Sequence, residues 1–193
     1  MKGFTLIEMT VVLAIVLIIS TMILANTQSF NSSILLRSLA YEVGLSLREA
    51  QLYGIAVKET APGSNNFSAA YGVYMPASIL NTPNATYQLF ADLNNNGIYD
   101  ASSNPADPVV ENFSLQNNFT IKDFCATPPA SAPQCASTGA LHWIAVTFKR
   151  PNPDALITTD QGSNYSNLVI TVSSQNGSIR TVSVYATGQI VVQ

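Results

Sequence analysis

The chain holds little of what catalysis usually needs. In 193 residues there is one histidine, His142, and there are two cysteines, Cys125 and Cys135. A lone histidine with no Cys-x-x-Cys pair argues against a zinc site or a Cys–His couple. No Gly-rich phosphate loop is present, Gly72 and Gly97 standing alone, and no nucleophile elbow accompanies His142 to complete a Ser–His–Asp triad. His142-Trp143 therefore reads as a packed or rim pair on a strand. Charge is also scarce, at 10% of residues. Beyond Lys58, four basic residues (Lys122, Lys149, Arg150, Arg180) face eight acidic ones, a net of about −4. Binding to phosphate backbones rests on clustered Lys and Arg, so nucleic acid is not an expected partner. No charge at all occurs between Glu8 and Arg37, and no proline precedes Pro62.

What is there begins with an apolar run from Met9 to Ala25, long enough to enter or cross a hydrocarbon core of roughly 30 Å. Lys2 on its short flank predicts a cytoplasmic N-terminus and an exported remainder. A cleavable secretory signal would want small residues ahead of the cut, and Ile23-Leu24-Ala25 fits that poorly. Glu8 lies inside the leading edge of the run. An ionised carboxylate removed from water without a partner is expensive, and an acid there is a functional-site hypothesis. A cut after Gly3 would supply a partner, the new amino group of Phe4. The plainer reading of Glu8 is an interfacial acid just outside the bilayer.

Size allows one membrane segment and one globular head. From Phe4 to about Lys58 the pattern is helical, a length of about 80 Å at 1.5 Å per residue. Leu36, Leu39, Ala40, Val43, Leu47, Ala50, Tyr53, Gly54 and Val57 recur at spacings of three and four, one apolar stripe opposite Arg37, Glu42, Arg48, Glu49 and Lys58. The short polar residues between Asn26 and Ser33 compete with the helical backbone for hydrogen bonds, either fraying it or letting it melt in an assembly. Pro, Gly, Ser and Asn from Ala61 to Phe67 end the helix. Strands are predicted at 71–75, 86–92, 109–113, 119–124, 141–149, 168–173, 179–185 and 189–192. Asn176-Gly177 is a two-residue hairpin signal, and Ala186-Thr187-Gly188 makes a second tight turn. Lys149 to Asp154 reads as a rigid solvent turn or a subunit contact. The fold class is α+β, with a long N-terminal helix packed on an antiparallel sheet.

The residues Gly3-Phe4-Thr5-Leu6-Ile7-Glu8, followed by apolar Val11 to Ile19, resemble the class III signal of type IV prepilins and type II secretion pseudopilins. The resemblance implies a pilin-like fold and cleavage by prepilin peptidase between Gly3 and Phe4, with N-methylation of Phe4. It also implies that Glu8 neutralises the Phe4 amine of a neighbouring subunit and sets register in a filament. The segment Leu36 to Lys58, Phe90-Ala91-Asp92-Leu93-Asn94-Asn95-Asn96-Gly97 and Gly188-Gln189-Ile190-Val191-Val192 look like GspH/FimT-type minor pilins. Some FimT-like members take up DNA through a basic C-terminal tail, but Tyr185 to Gln193 has no Lys or Arg. The implied organisation is a leader at 1–3, a hydrophobic assembly helix at 4–30, an amphipathic helix at 31–60 and a β-rich head at 61–193. The implied role is structural, without enzymatic turnover, in the cytoplasmic membrane and then in an extracellular filament. Implied partners are other pilin subunits, prepilin peptidase, membrane lipid before assembly, a platform protein and a motor ATPase. The rival function is a membrane-anchored binding module, adhesin-like, that never polymerises.

Two smaller sites complete the reading. Cys125 and Cys135 bracket a Pro-rich loop in an exported setting, which suits a disulfide worth roughly 2–3 kcal/mol by loop closure; two free thiols are the alternative. No cofactor is required, though calcium has one candidate loop. Asp92, Asn94, Asn96, the Ile98 carbonyl and Asp100 fall at positions one, three, five, seven and nine of a calcium loop, with Gly97 at six. Ser103 stands where a glutamate is wanted, leaving Asp107 or Glu111 to fold back. The same residues also read as an Asn/Gly-rich turn after a strand.

Overall fold

The computed structural model describes residues 3–56, 58–60, 63, 66–77, 84–102, 104–116 and 118–193, and for 25–31 the backbone alone. The chain divides into two compact units, Met1–Leu35 and Leu36–Gln193. Helix α1 is assigned over Leu6–Ile55. It ends earlier than its apolar stripe suggested: Ala56 closes a last turn on Leu52 O, and Lys58 N donates back to Ala56 O. Val57, the last stripe position, lies outside the described residues.

In the first unit, Leu6–Leu24 is a 19-residue stretch long and apolar enough to cross a membrane, none of it buried by the protein. The second unit behaves in the opposite way. Leu36, Ala40, Val43, Leu47 and Ala50 are buried completely or nearly so, and Leu39 and Tyr53 pack half-buried beside them. The spacings of three and four place these residues on one face of α1. Burying one leucine of this kind contributes about 1.5–3 kcal/mol.

The head contains two antiparallel sheets where the sequence suggested one. The first runs β3 (Val109–Ser114), β2 (Thr86–Asp92), β1 (Ala70–Pro76), β6 (Trp143–Phe148), β7 (Ala155–Thr159), β8 (Gly162–Ser163). The second runs β11 (Ile190–Val192), β10 (Ile179–Tyr185), β9 (Asn167–Ser173), β4 (Thr120–Thr127), β5 (Gln134–Cys135). Every predicted strand is found, and β5, β7 and β8 are additional. Tyr71, Val73, Met75, Tyr87, Leu89, Ile144, Val146 and Ile157 of the first sheet join Phe124, Ala126, Leu168, Ile170, Val172, Val182 and Val184 of the second in one core with α1.

A bulge explains how β4 serves that core. Alternation would turn Phe124 away if Ile121 faced inward, because side chains in a strand repeat every two residues. The register against β9 shifts between Ile121 and Asp123, so both residues reach the interior. The β9–β10 hairpin turns at Asn176-Gly177, though not as a two-residue loop. Gly177 donates to Ser174 O and Ser174 to Ser178 O, with left-handed backbone at Gly177 (φ 78°) and not at Asn176. That is a type I turn closed by a bulge residue, which glycine adopts without strain.

The segment from Leu93 to Pro108 folds over the outer face of the first sheet. Tyr99 sets its ring 5.2 Å from Phe90 and 5.1 Å from Tyr74. Phe90, outside the inter-sheet core, is thereby fully buried. The connection at Lys149–Asp154 is exposed along Pro151–Asp154, yet Arg150 N donates to Gly54 O, pinning the turn to α1.

Candidate functional sites at the helix start and the acidic loop

Leu6 is the first residue of α1, which makes Thr5 its N-cap and Glu8 its third residue. Glu8 N donates to Thr5 Oγ1 at 3.3 Å, while Thr5 N and Thr5 Oγ1 donate to Glu8 Oε2 at 3.4 and 3.2 Å. This reciprocal arrangement is a capping box, in which two helix-terminal donors are satisfied by the side chains of Thr and Glu three apart. The negative carboxylate also lies at the positive end of the helix dipole. The Thr-x-x-Glu spacing was legible in the sequence and stood hidden behind the membrane question. Phe4, Thr5 and Glu8 are all exposed, and no atom lies within 4 Å of where a Cβ on Gly3 would sit. The scissile-bond candidate between Gly3 and Phe4 thus stands open, beside an acid held in a fixed orientation.

The acidic loop is built by backbone donors converging on carboxylates. Asp92, wholly buried, accepts Asn96 N at 3.2 Å through Oδ1 and Gly97 N at 2.7 Å through Oδ2. Asn94 Oδ1 accepts Asn96 N, and Asn96 Oδ1 accepts Ile98 N. The amide nitrogens of Asn94 and Asn96 both donate to Asp100 Oδ2, at 3.4 and 2.7 Å. Asp107 folds back, as the sequence allowed: its Oδ1 takes Leu93 N and its Oδ2 takes Asp100 N, both at 2.9 Å. Glu111 does not join; it is exposed on β3. Ser103 lies outside the described residues. Burial pushes the Asp92 carboxyl above its ordinary pKa, the hydrogen bonds from Gly97 and Asn96 oppose this, and the nearby Asp107 charge adds to the rise. Five loop positions and Asp107 therefore close a turn on themselves. The same oxygens, of Asp92, Asn94, Asn96, Asp100 and Asp107 with the Ile98 carbonyl, are the set that could hold a calcium ion.

Cys125 and Cys135 form a disulfide across β4 and β5, their Cα atoms 4.1 Å apart in directly opposed positions. Asp123 lies beside the two sulfurs, but sulfurs bonded to each other are poor metal ligands, and this carboxylate holds Ser137 N and Oγ. His142, exposed, sets Nδ1 2.6 Å from Asp160 Oδ2, and its N–H donates to Asp160 Oδ1. Burial raises the Asp160 pKa, and the hydrogen bonds from His142 outweigh it, leaving the carboxyl below its ordinary value. The pair ties the start of β6 to the turn after β7 and has no hydroxyl or thiol hydrogen-bonded to it among the described residues.

An exposed apolar helix long enough to cross a membrane, led by a capped Gly-Phe-Thr-Leu-Ile-Glu segment and followed by an α+β head, is an arrangement consistent with a pilin-like fold. Residues 1–24 match the family model described as the prokaryotic N-terminal methylation motif, which is typical of type IV pilins and pseudopilins. No curated protein and no solved structure matches the chain.

Proposed function

We propose that the chain is a structural subunit of a type IV pilus-like or type II secretion filament, a minor pilin or pseudopilin of GspH/FimT type. The observation that carries this is the methylation motif at residues 1–24, leading a span, Leu6–Leu24, that nothing in the protein buries. Prepilin peptidase cuts between Gly3 and Phe4 and the new Phe4 amine is methylated. Before assembly the span sits in the cytoplasmic membrane with the head outside; on assembly, platform protein and motor ATPase move it into a filament core. There the Glu8 carboxylate meets the Phe4 amine of a neighbouring subunit. Both described bonds to Glu8 end on Oε2, so Oε1 is the oxygen offered to that amine. The subunit works by assembly and turns over no substrate.

Intact-protein mass spectrometry of the membrane-extracted chain tests the processing. The expected mass lacks Met1 to Gly3 and carries one added methyl group. A chain retaining Met1, or starting after Ala25, refutes the reading. Glu8→Ala is expected to insert in the membrane and to fail at filament incorporation, and unaltered incorporation would favour the non-polymerising binding module.

A further inference from the structure

The head carries a groove that the filament reading does not use. Two adjoining cavities of about 230 and 280 Å³ share Tyr41 and Val192, forming one trough between α1 and the edge strand β11. Arg37 and Arg180 stand at one end, Arg48 at the other, and Gly44, Leu45 and Val192 line the middle. Three of the chain's eight Lys and Arg thus gather in a head whose charge is otherwise negative. Among the described residues no carboxylate forms an ion pair with any of the three. Arg48 gives one bond to Ile190 O and Arg180 one to Ile179 O, while Arg37 lies 5.7 Å from the Tyr41 ring centre. A guanidinium has five donors, so most remain for a partner. The middle is apolar and open: Leu45 is 66% exposed and Tyr41 51%. Val192 pairs with Val182 beside the hydrogen-bonded Thr181–Gln193 pair, so its own N–H and C=O point away from β10.

We propose that this groove docks an acidic segment of another polypeptide, with an apolar centre and a carboxylate at each end. Charge complementarity selects that occupant. From Arg37 to Arg48 the helix rises about 16 Å, the span of roughly five extended residues. Carboxylates at the ends meet the arginines, and the central apolar side chain, on the same face as both ends, covers Leu45 and Val192. Duplex nucleic acid fits worse, since over the same ~16 Å it brings about nine phosphates to three arginines and an acidic remainder. The inference concerns the head surface alone. An unprocessed N-terminus would leave it standing, and its failure would leave the processing result untouched.

The test is fluorescence anisotropy on the full chain in detergent micelles, with a labelled Glu-Leu-Phe-Leu-Glu peptide as probe. The expected result is binding that weakens about tenfold when both glutamates become glutamine, rim charge pairs each being worth about two- to fivefold. Arg37→Glu with Arg180→Glu should weaken it about tenfold or more, and raised salt should weaken it further. Lys122→Glu, an equal kind of charge change at an exposed site on β4, should shift it less than about twofold. Melting curves matching wild type confirm that the exposed-arginine variants fold. Equal affinity for the glutamine peptide, or an equal loss with Lys122→Glu, overturns the proposal. A short single-stranded oligonucleotide that binds more tightly than the acidic peptide overturns it too.

Discussion

Two glycines of α1 face strands of the head, and their replacement by alanine should act in opposite directions. A Cβ at Gly54 would fall 2.2 Å from Phe148 O and 2.7 Å from Phe148 C, both backbone atoms of β6. Ordinary carbon–oxygen contact begins near 3.3 Å, so the helix end would have to retreat by about 1 Å. That movement strains the hydrogen bond from Arg150 N to Gly54 O. Overpacking of this kind costs about 1–3 kcal/mol, and weakening the bond adds up to ~1 kcal/mol. The helix propensity of alanine returns about 1 kcal/mol. With the weakened bond and the propensity gain about cancelling, Gly54→Ala is expected to lose the overpacking cost of about 1–3 kcal/mol, a fall in Tm of roughly 3–10 °C for a chain of this size. A Cβ at Gly44 would crowd the Cγ2 tip of Val192, at 2.8 Å, and would make ordinary contact with Val182 Cγ1 at 4.0 Å, both side-chain atoms. A side chain on a short edge strand can rotate away, so Gly44→Ala keeps most of its propensity gain and should leave Tm unchanged or raise it by up to about 3 °C. Circular dichroism melts of both variants in the same detergent decide the matter. A Gly54→Ala protein as stable as wild type refutes the close-packing argument, as does an equal loss in Gly44→Ala.

Breaking the Cys125–Cys135 bridge with the paired Ser substitutions should cost about 2–3 kcal/mol, seen as a lower Tm; alkylation without reductant should leave the wild-type mass unchanged. Asp92→Ala leaves Gly97 N without its acceptor, while Asn96 N keeps Asn94 Oδ1, and should destabilise the head by about 1–3 kcal/mol. Because the folded-state pKa of Asp92 is raised, its linkage contribution is full below the ordinary value of 3.8 and is lost as pH rises through the elevated one. Asp92→Asn removes that dependence, so the stability of wild type relative to this variant should decline from pH 4 to pH 7 in denaturant titrations. Calcium at several millimolar should leave Tm unchanged if the turn is self-sufficient; a rise that Asp92→Ala abolishes would instead establish a metal site.

What could be read in advance followed periodicity. The buried positions of α1 from Leu36 to Ala50 are a 3.6-residue repeat, and the eight predicted strands are short β-branched or aromatic runs between turn residues. β7, Ala-Leu-Ile-Thr-Thr, escaped notice because Pro151, Pro153 and Asp154 lead into it and suggest only a turn. β5 and β8, of two residues each, are too short to show any period. The second sheet was hidden by the bulge at Lys122, since a strand that changes faces midway breaks the alternation by which faces are assigned. Asp107 is fifteen residues beyond Asp92, and its return to Leu93 and Asp100 depends on how the loop crosses the first sheet. The capping box at Thr5 was local and legible, but a three-residue spacing carries less weight than a carboxylate entering a membrane.

That capping box changes how Glu8 must be understood. An acid in its place helps to start a helix in any single chain, whether or not a filament forms. Its presence alone therefore does not require a neighbour. In an unassembled chain both described bonds end on Oε2 and the charge meets only the helix dipole, with no cation paired to it among the described residues. Cleavage after Gly3 would set an ammonium on Phe4, one residue ahead of the cap and at the helix end whose dipole disfavours positive charge. Glutamine at position 8 would keep an acceptor for Thr5 N and Thr5 Oγ1 while discarding the charge; alanine would discard both. A helix start preserved in the glutamine variant, together with lost incorporation, would assign the charge to assembly and the cap to folding. Equal assembly by the glutamine variant and wild type would mean that Glu8 is needed only to begin α1.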